Sequence, residues 1–361
     1  MNILSLFPLI PLVMMLGLWI SKNTRQIHAV MVAGSSALLA LAIYLVFHYL
    51  GLREAGATDA MLLTDSVVWY APLNIHYAVG VDGISVAMLL LSAIIVFTGT
   101  FASWQMKSDV KAYFLWFCLL SVGVFGFFIT VDLFSMFMFY EVALIPMYLL
   151  IGVWGSGRKE YSAMKLTLML MGGSALLLCG ILGIYFGAGA QTMNLHEIAA
   201  LHNIPLSQQY IWFPMVFVGF GVLGALFPFH TWVPDAYAYS TPTSAAVLSS
   251  LVSKGYIFLL MKIMYRVIGL DVIVSTGIQD VLFVFALVGM VMGSISAIRQ
   301  TDIRRMIAFS SVAQIGYVFM GIGLGTDEGM MAATFHIFSH AVCKSMLFLA
   351  AGGLADASNN S

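Results

Sequence analysis

The amino-acid sequence predicts an all-α polytopic membrane protein of about eleven transmembrane helices, the seventh of them broken. Three observations lead there. Of 361 residues, 61% are hydrophobic and only 9% are charged, against roughly 25% charged in soluble domains, so a water-exposed surface cannot be built from this chain. Apolar runs of 18 or more residues recur along its length, long enough to cross a bilayer. In lipid every backbone polar group needs an internal partner, which makes each run a helix. A formal net charge of -1 argues against nucleic acid as a partner.

The first span, about Ile3 to Ile20, lacks the basic start and small-residue exit of a cleaved signal, and Lys22 and Arg25 follow it, so it is a retained helix. A second covers about Ile27–Leu50. Gly51–Val81 is polar and is the longest break in the chain. Further spans run about Gly83–Trp104, Ala112–Val131, Leu133–Trp154 and Lys165–Ala190. After a short, partly amphipathic connector, Gln191–Gln209, come Ile211–Val233, Thr243–Arg266, Val281–Ile298, Met306–Gly325 and Met330–Leu354.

Charge asymmetry supports this count. Lys22, Arg25, Lys107, Lys111, Arg158, Lys159, Lys165, Arg299, Arg304 and Arg305 all fall on one side, and only Arg53 and Arg266 on the other. The positive-inside rule then puts the basic loops in the cytoplasm and the N-terminus outside.

Ionisable residues inside spans are the informative ones. Glu141 lies near the middle of Leu133–Trp154, with Pro146 five residues on, where proline frees a carbonyl and tends to kink a helix. Lys254 lies about eleven residues from either end of its span, too deep for its stem to reach water. Lys262, two turns further on, is expected to snorkel to the interface. His336, His340 and Lys344 recur every four residues, which stacks them on one helix face over roughly 12 Å. Three titratable groups on one stripe read as a proton wire better than as core polar residues. A His-x-x-x-His pair suits zinc, but no third ligand accompanies it.

The seventh span runs VFVGFGVLGALFPFHTWVPDAYAYSTPTSAA across its end. Pro228, Pro234 and Pro242, with His230 and Asp235, predict a broken helix, tolerated at membrane depth only inside protein or beside water. Cys118, Cys179 and Cys343 sit in separate apolar segments with no metal-ligand spacing. There is no phosphate-cradling loop and no flavin, NAD, haem or iron–sulfur signature, so the chain is expected to hold no cofactor.

Four ordered motifs, GVDGISVAML from Gly80, YEVALIPMYLLIGVWG from Tyr140, FPFHTWVPDA from Phe227 and HIFSHAVCKSMLFLAAG from His336, resemble the antiporter-like, proton-translocating subunits of respiratory complex I, the NADH–quinone oxidoreductase. The first half is most similar to chain M. The second half, with STPTSAA and the His-x-x-x-His-x-x-x-Lys stripe, is similar to chain L and to Mrp cation/proton antiporter subunits. Membrane-bound hydrogenases use similar subunits.

The resemblance implies a non-redox translocase subunit in the membrane arm of a complex in the bacterial cytoplasmic membrane. Its partner subunits would supply NAD, FMN, iron–sulfur clusters and quinone. Glu141, Lys254, His336, His340 and Lys344 would form the proton relay, supported by His230, Asp235, Pro228 and Pro146. Residues 1–361 would form one membrane-embedded domain, with N-terminal helices and loop in 1–111 and the proton-channel core in 112–361.

Two departures accompany the resemblance. Position 223, where the family pattern has the lysine that partners the fifth-helix glutamate, is Leu223. Glu141 is then expected to sit protonated. The family has about fourteen helices, and this chain reaches Ser361 after about eleven, before the helix bearing a further exit-side lysine or glutamate. A structural subunit without pumping, or an Mrp-type antiporter subunit, is the competing expectation.

Overall fold

The computed structural model describes residues 2–106, 108–187, 189, 192–201, 204–264 and 277–358. Lys107 and Arg266, two of the bases counted above, lie outside the described residues, as do the predicted span ends at Ala190, Gln191 and Arg266.

The helices are α1 (Leu6–Ile20), α2 (Thr24–Glu54), α3 (Gly83–Ala102), α4 (Val110–Ile129), α5 (Leu133–Gly152), α6 (Lys159–Gly187), the short α7 (Leu195–Leu201), α8 (Leu206–Leu223), α9 (Trp232–Tyr239), α10 (Pro242–Lys262), α11 (Ile278–Ile298), α12 (Ile303–Gly323) and α13 (Asp327–Ser358). Among the described residues ten helices are long and apolar enough to cross a membrane. The one predicted span without a counterpart among these ten is the seventh, which breaks. Its stretch Ile211–Val233 divides into α8, which stops at Leu223, a non-helical passage containing Pro228, and a short turn Phe229–Thr231 leading into α9. The proline lacks the N–H a helix needs, and Ala225 takes a positive φ of 59°, so the chain turns rather than continues. By contrast α5 runs unbroken through Pro146.

The polar stretch Gly51–Val81 contains structure that its composition did not predict. Strands β1 (Leu62–Tyr70) and β2 (Ile75–Val81) pair antiparallel, turning through Asn74 in the left-handed region at φ 49°. The hairpin is fastened to the helix ends beneath it. The Val131 N–H donates to Ala78 O at 2.9 Å, and Asp132 accepts from the His76 N–H at 3.2 Å and from the Ser135 N–H at 2.9 Å, capping α5. We call this the hairpin end. At the opposite, basic end, Lys111 Nζ donates to the Trp19 and Ser21 carbonyls at the foot of α1, and Asp302 caps α12 through the Arg304 N–H at 2.8 Å.

Burial ranks the helices. Every residue of α10 after Pro242 is buried, whereas most residues of α1, α2 and α11 are not, and Trp19, Phe47 and Ile298 are exposed. Such exposed large apolar side chains face lipid in a helix bundle of this composition. So α10 is the axis against which α3, α4, α8, α9 and α13 are arranged. The hydrophobic core is one continuous cluster from α1 to α13.

Candidate functional site

The site is built on α10. Thr241 caps it through the Ser244 N–H, and Pro242 occupies the first turn, where its missing N–H costs nothing. Its second and third turns pass into a π-turn at Leu248–Val252. Two serines shape that turn. Ser249 Oγ bonds back to Ala246 O at 3.2 Å, while Ser250 Oγ leaves its own helix to donate to Ala341 O on α13 at 2.8 Å, 2.7 Å from Ser345 Oγ. A π-turn loosens the carbonyl ladder, and such turns recur at functional positions. Here the carbonyl of Ser249 is taken by Lys254 Nζ, five residues ahead.

Lys254 is fully buried, at 0% exposure. It lies within electrostatic range of Lys344, His340 and His336 across the α10–α13 contact. The stripe on α13 forms as its spacing predicts. The His336 and His340 rings stack with centroids 6.0 Å apart and planes 7° from parallel. Lys344, 3% exposed, reaches α12, donating to Ile307 O at 3.1 Å and to Ser310 Oγ. Both ring nitrogens of His340 and Nε2 of His336 are buried with no hydrogen-bond partner among the described residues. None of these three nitrogens cross-links α13 to a neighbour among the described residues, and unpaired buried polar atoms are costly.

The structure keeps the other predicted residues apart from this cluster. Glu141 is half-buried on α5 near Ser174 of α6, with Oε1 unpartnered among the described residues. No cation pairs with it among the described residues, and Leu223 is fully buried in α8. Tyr140, next to Glu141 on α5, meets Tyr256 of α10 with ring centroids 4.2 Å apart, both hydroxyls buried and unpartnered among the described residues. They line a cavity of about 20 Å³, room for one water molecule.

His230 and Asp235 belong to the basic end instead. Asp235 accepts from Lys165 of α6 at 2.7 Å and faces Arg305 of α12 at 3.7 Å. His230 stacks on Phe227 just after Pro228, with Nδ1 unpartnered.

One expectation is corrected. Lys262 does not snorkel: it is 7% exposed and pairs with Asp82 at 3.1 Å, because α3 delivers its capping aspartate to the end of α10. Asp82 stands in the motif GVDGISVAML, and an aspartate before a helix reads locally as an N-cap, which it also is, accepting from the Ser85 N–H at 2.8 Å. Serines 249, 250, 310 and 345 and the tyrosine pair gave no signal in the sequence beyond lying in apolar spans.

A broken helix beside a fully buried lysine helix, itself facing a histidine–lysine stripe, defines a class: polytopic membrane proteins with an ionisable path through the interior. Comparison with known proteins agrees. Residues 130–361 match the model of the NADH:quinone oxidoreductase/Mrp antiporter transmembrane family. NADH-quinone oxidoreductase subunit M of Rickettsia felis is 31% identical over 98% of this chain and 71% of its own length. Among solved structures, a subunit of the membrane-bound sulfane sulfur reductase, an archaeal respiratory membrane complex, superposes with a TM-score of 0.86 at 25% identity over 98% of this chain and 72% of its own. A subunit of the Mrp complex from Dietzia sp. DQ12-45-1b superposes with a TM-score of 0.82 at 26% identity, over 97% of this chain and 64% of its own. The chain thus spans about two thirds of the length of these proteins. It belongs to the NADH:quinone oxidoreductase/Mrp antiporter transmembrane family.

Proposed function

We propose that this chain is a proton-translocating membrane-arm subunit of an NADH–quinone oxidoreductase, with no redox centre of its own, in which Lys254, His340, His336 and Lys344 pass protons through the interior. The observation that carries the reading is Lys254: a lysine at 0% exposure whose ammonium is held by a single carbonyl, facing two histidines and a second lysine. Like charges crowded in low dielectric repel, so a proton arriving on one member favours departure from the next. Protonation moving along the stripe is therefore a way to answer charge changes made elsewhere in a complex.

Glu141, which pairs with no cation among the described residues, stands as a side branch rather than the driver of the relay. The basic residues gathered at one end, among them Lys22, Lys111, Arg158, Arg304 and Arg305, support that end as cytoplasmic and the N-terminus as outside. Pro228 and Pro146 support the path by shaping the break and the Glu141 helix.

A second reading, an Mrp-type cation/proton antiporter subunit, draws on the likeness to the Dietzia complex and on Leu223. Inverted vesicles containing the assembled complex separate the two. NADH-driven acidification abolished by Lys254→Met supports the first. Sodium-dependent proton exchange without an electron donor supports the second. Unimpaired NADH-driven acidification with Lys254→Met overturns the relay.

A further inference from the structure

We propose that the Asp82–Lys262 ion pair, screened from Lys254 by the ring of Phe258, is the gated release segment of the path at the hairpin end. This rests on the proton-translocating reading above. Lys254, Phe258 and Lys262 follow one another at intervals of four, so they share one face of α10, successive members about 6 Å apart along the axis. Lys254 is turned away from this direction, toward Ser249 O in the π-turn. Lys262 Nζ lies 4.3 Å from the Phe258 ring centroid, 3.2 Å from Ser85 Oγ and 3.1 Å from Asp82 Oδ2. The side chains of both ions are only 8% exposed.

A buried pair of this kind is poor value as a fastener. Its desolvation cost cancels much of its attraction, and an apolar pair of similar volume often holds a fold as well. Asp82 can cap α3 through Oδ1 alone, so its second oxygen and the whole lysine are surplus to that task. What the pair adds is an ionisable couple lying between the buried lysine and the hairpin end.

Phe258 supplies the barrier. One turn from each lysine on their shared face, its ring packs under the Lys262 ammonium and lines a groove of about 480 Å³ between α3 and α13, bounded by Ile84, Met88, Thr334 and Ile337. The groove gives the ring somewhere to turn.

The step balances as follows. An N–H bond of the Lys262 ammonium breaks and an O–H bond forms at Asp82 Oδ2, leaving a neutral amine and a neutral acid. Asp82 then loses that proton to water at the hairpin end. Once the Phe258 ring turns aside, water bridges the gap, and the Lys262 amine takes a proton from the Lys254 ammonium. One proton enters the segment and one leaves it, and the ion pair is restored.

The test uses the assembled complex in inverted vesicles, with NADH as donor and a pH-sensitive dye as readout, and native gels to follow assembly. Lys262→Met and Asp82→Asn are each expected to slow pumping about tenfold or more. The double variant Asp82→Asn/Lys262→Met removes both charges, so no lone buried ion remains. A pair that merely fastens helices is replaced by it, and pumping returns to normal; a release segment is not replaced, and pumping stays about tenfold down. Phe258→Ala is expected to raise passive proton leak without NADH, which no fastening role moves, and it decides the matter if the double variant fails to assemble. Normal pumping by the double variant, or an unchanged leak in Phe258→Ala, overturns the segment. Lys254→Met is the control: inactive with a normal double variant, only the segment falls; unimpaired, the translocation reading itself falls.

Discussion

Lys165 Nζ meets Asp235 Oδ2 at 2.7 Å, tying α6 to α9 just past the break that follows α8. Arg305 of α12 approaches the other carboxylate oxygen at 3.7 Å and donates to the Tyr239 hydroxyl at 3.3 Å. One carboxylate thus holds three elements whose backbones are not continuous. Lys165→Met should lower the stability of the detergent-solubilised protein by about 1–2 kcal/mol, between the values for exposed and buried pairs. A thermal midpoint equal to that of the unaltered chain would contradict this.

Two buried tyrosines should respond oppositely to loss of their hydroxyls. Tyr237 OH lies 2.6 Å from Ser253 Oγ and donates to Leu248 O at 3.3 Å, fastening α9 to the π-turn. Tyr256 OH has no partner among the described residues. Tyr237→Phe is expected to cost about 1 kcal/mol, and Tyr256→Phe to be neutral or slightly stabilising. Thermal denaturation of the two variants side by side checks the contrast, and equal losses would refute it.

Close helix approach depends on particular glycines. A Cβ on Gly123 of α4 would stand 2.7 Å from the Phe139 carbonyl and 2.8 Å from the Ala143 Cβ, neither of which can give way without moving α5. One on Gly172 of α6 meets nothing within 4 Å. Gly123→Ala should therefore destabilise by roughly 1–3 kcal/mol. Gly172→Ala should gain up to about 1 kcal/mol of helix propensity. The pair of midpoints is the readout, and a stable Gly123→Ala protein would mean α4 and α5 pack less closely than described.

Glu141 offers a test of the side-branch assignment. With Leu223 where a lysine would face it, the carboxyl pairs with no cation among the described residues. Glu141→Gln preserves size and removes the ionisable carboxyl. It is expected to leave most NADH-driven acidification intact, in contrast to Lys254→Met. Abolished pumping in Glu141→Gln vesicles would put the glutamate back into the relay.

Much of the fold was legible because membrane helices announce themselves by length and polarity. The spans holding Glu141 and His336 and the start of the one holding Lys254 were read within a few residues, and the break after α8 was marked by Pro228 and its neighbours. The α13 stripe was legible for the same reason: a four-residue repeat is a statement about one helix. The hairpin was not. Its strands hide in a stretch whose average polarity suggests loop, and they are held by Asp132 and Val131, more than fifty residues away. Lys262 was misread because snorkelling is decided by what lies beside a helix end, and nothing near it in the chain says that Asp82 does.

By itself, then, the amino-acid order determined that this protein crosses a membrane repeatedly as helices, that one helix breaks, that Lys254 lies deep inside a span, and that His336, His340 and Lys344 share one helix face. Each of these follows from composition or spacing within one segment, where backbone geometry alone relates residue to residue. Only the tertiary structure decided who faces whom: Lys254 against the Ser249 carbonyl, Tyr140 beside Tyr256, Asp235 between Lys165 and Arg305, and Lys262 against Asp82. The reason is physical. A charge buried in low dielectric is defined by its nearest neighbours in space, and helix packing chooses those from segments far apart in the chain.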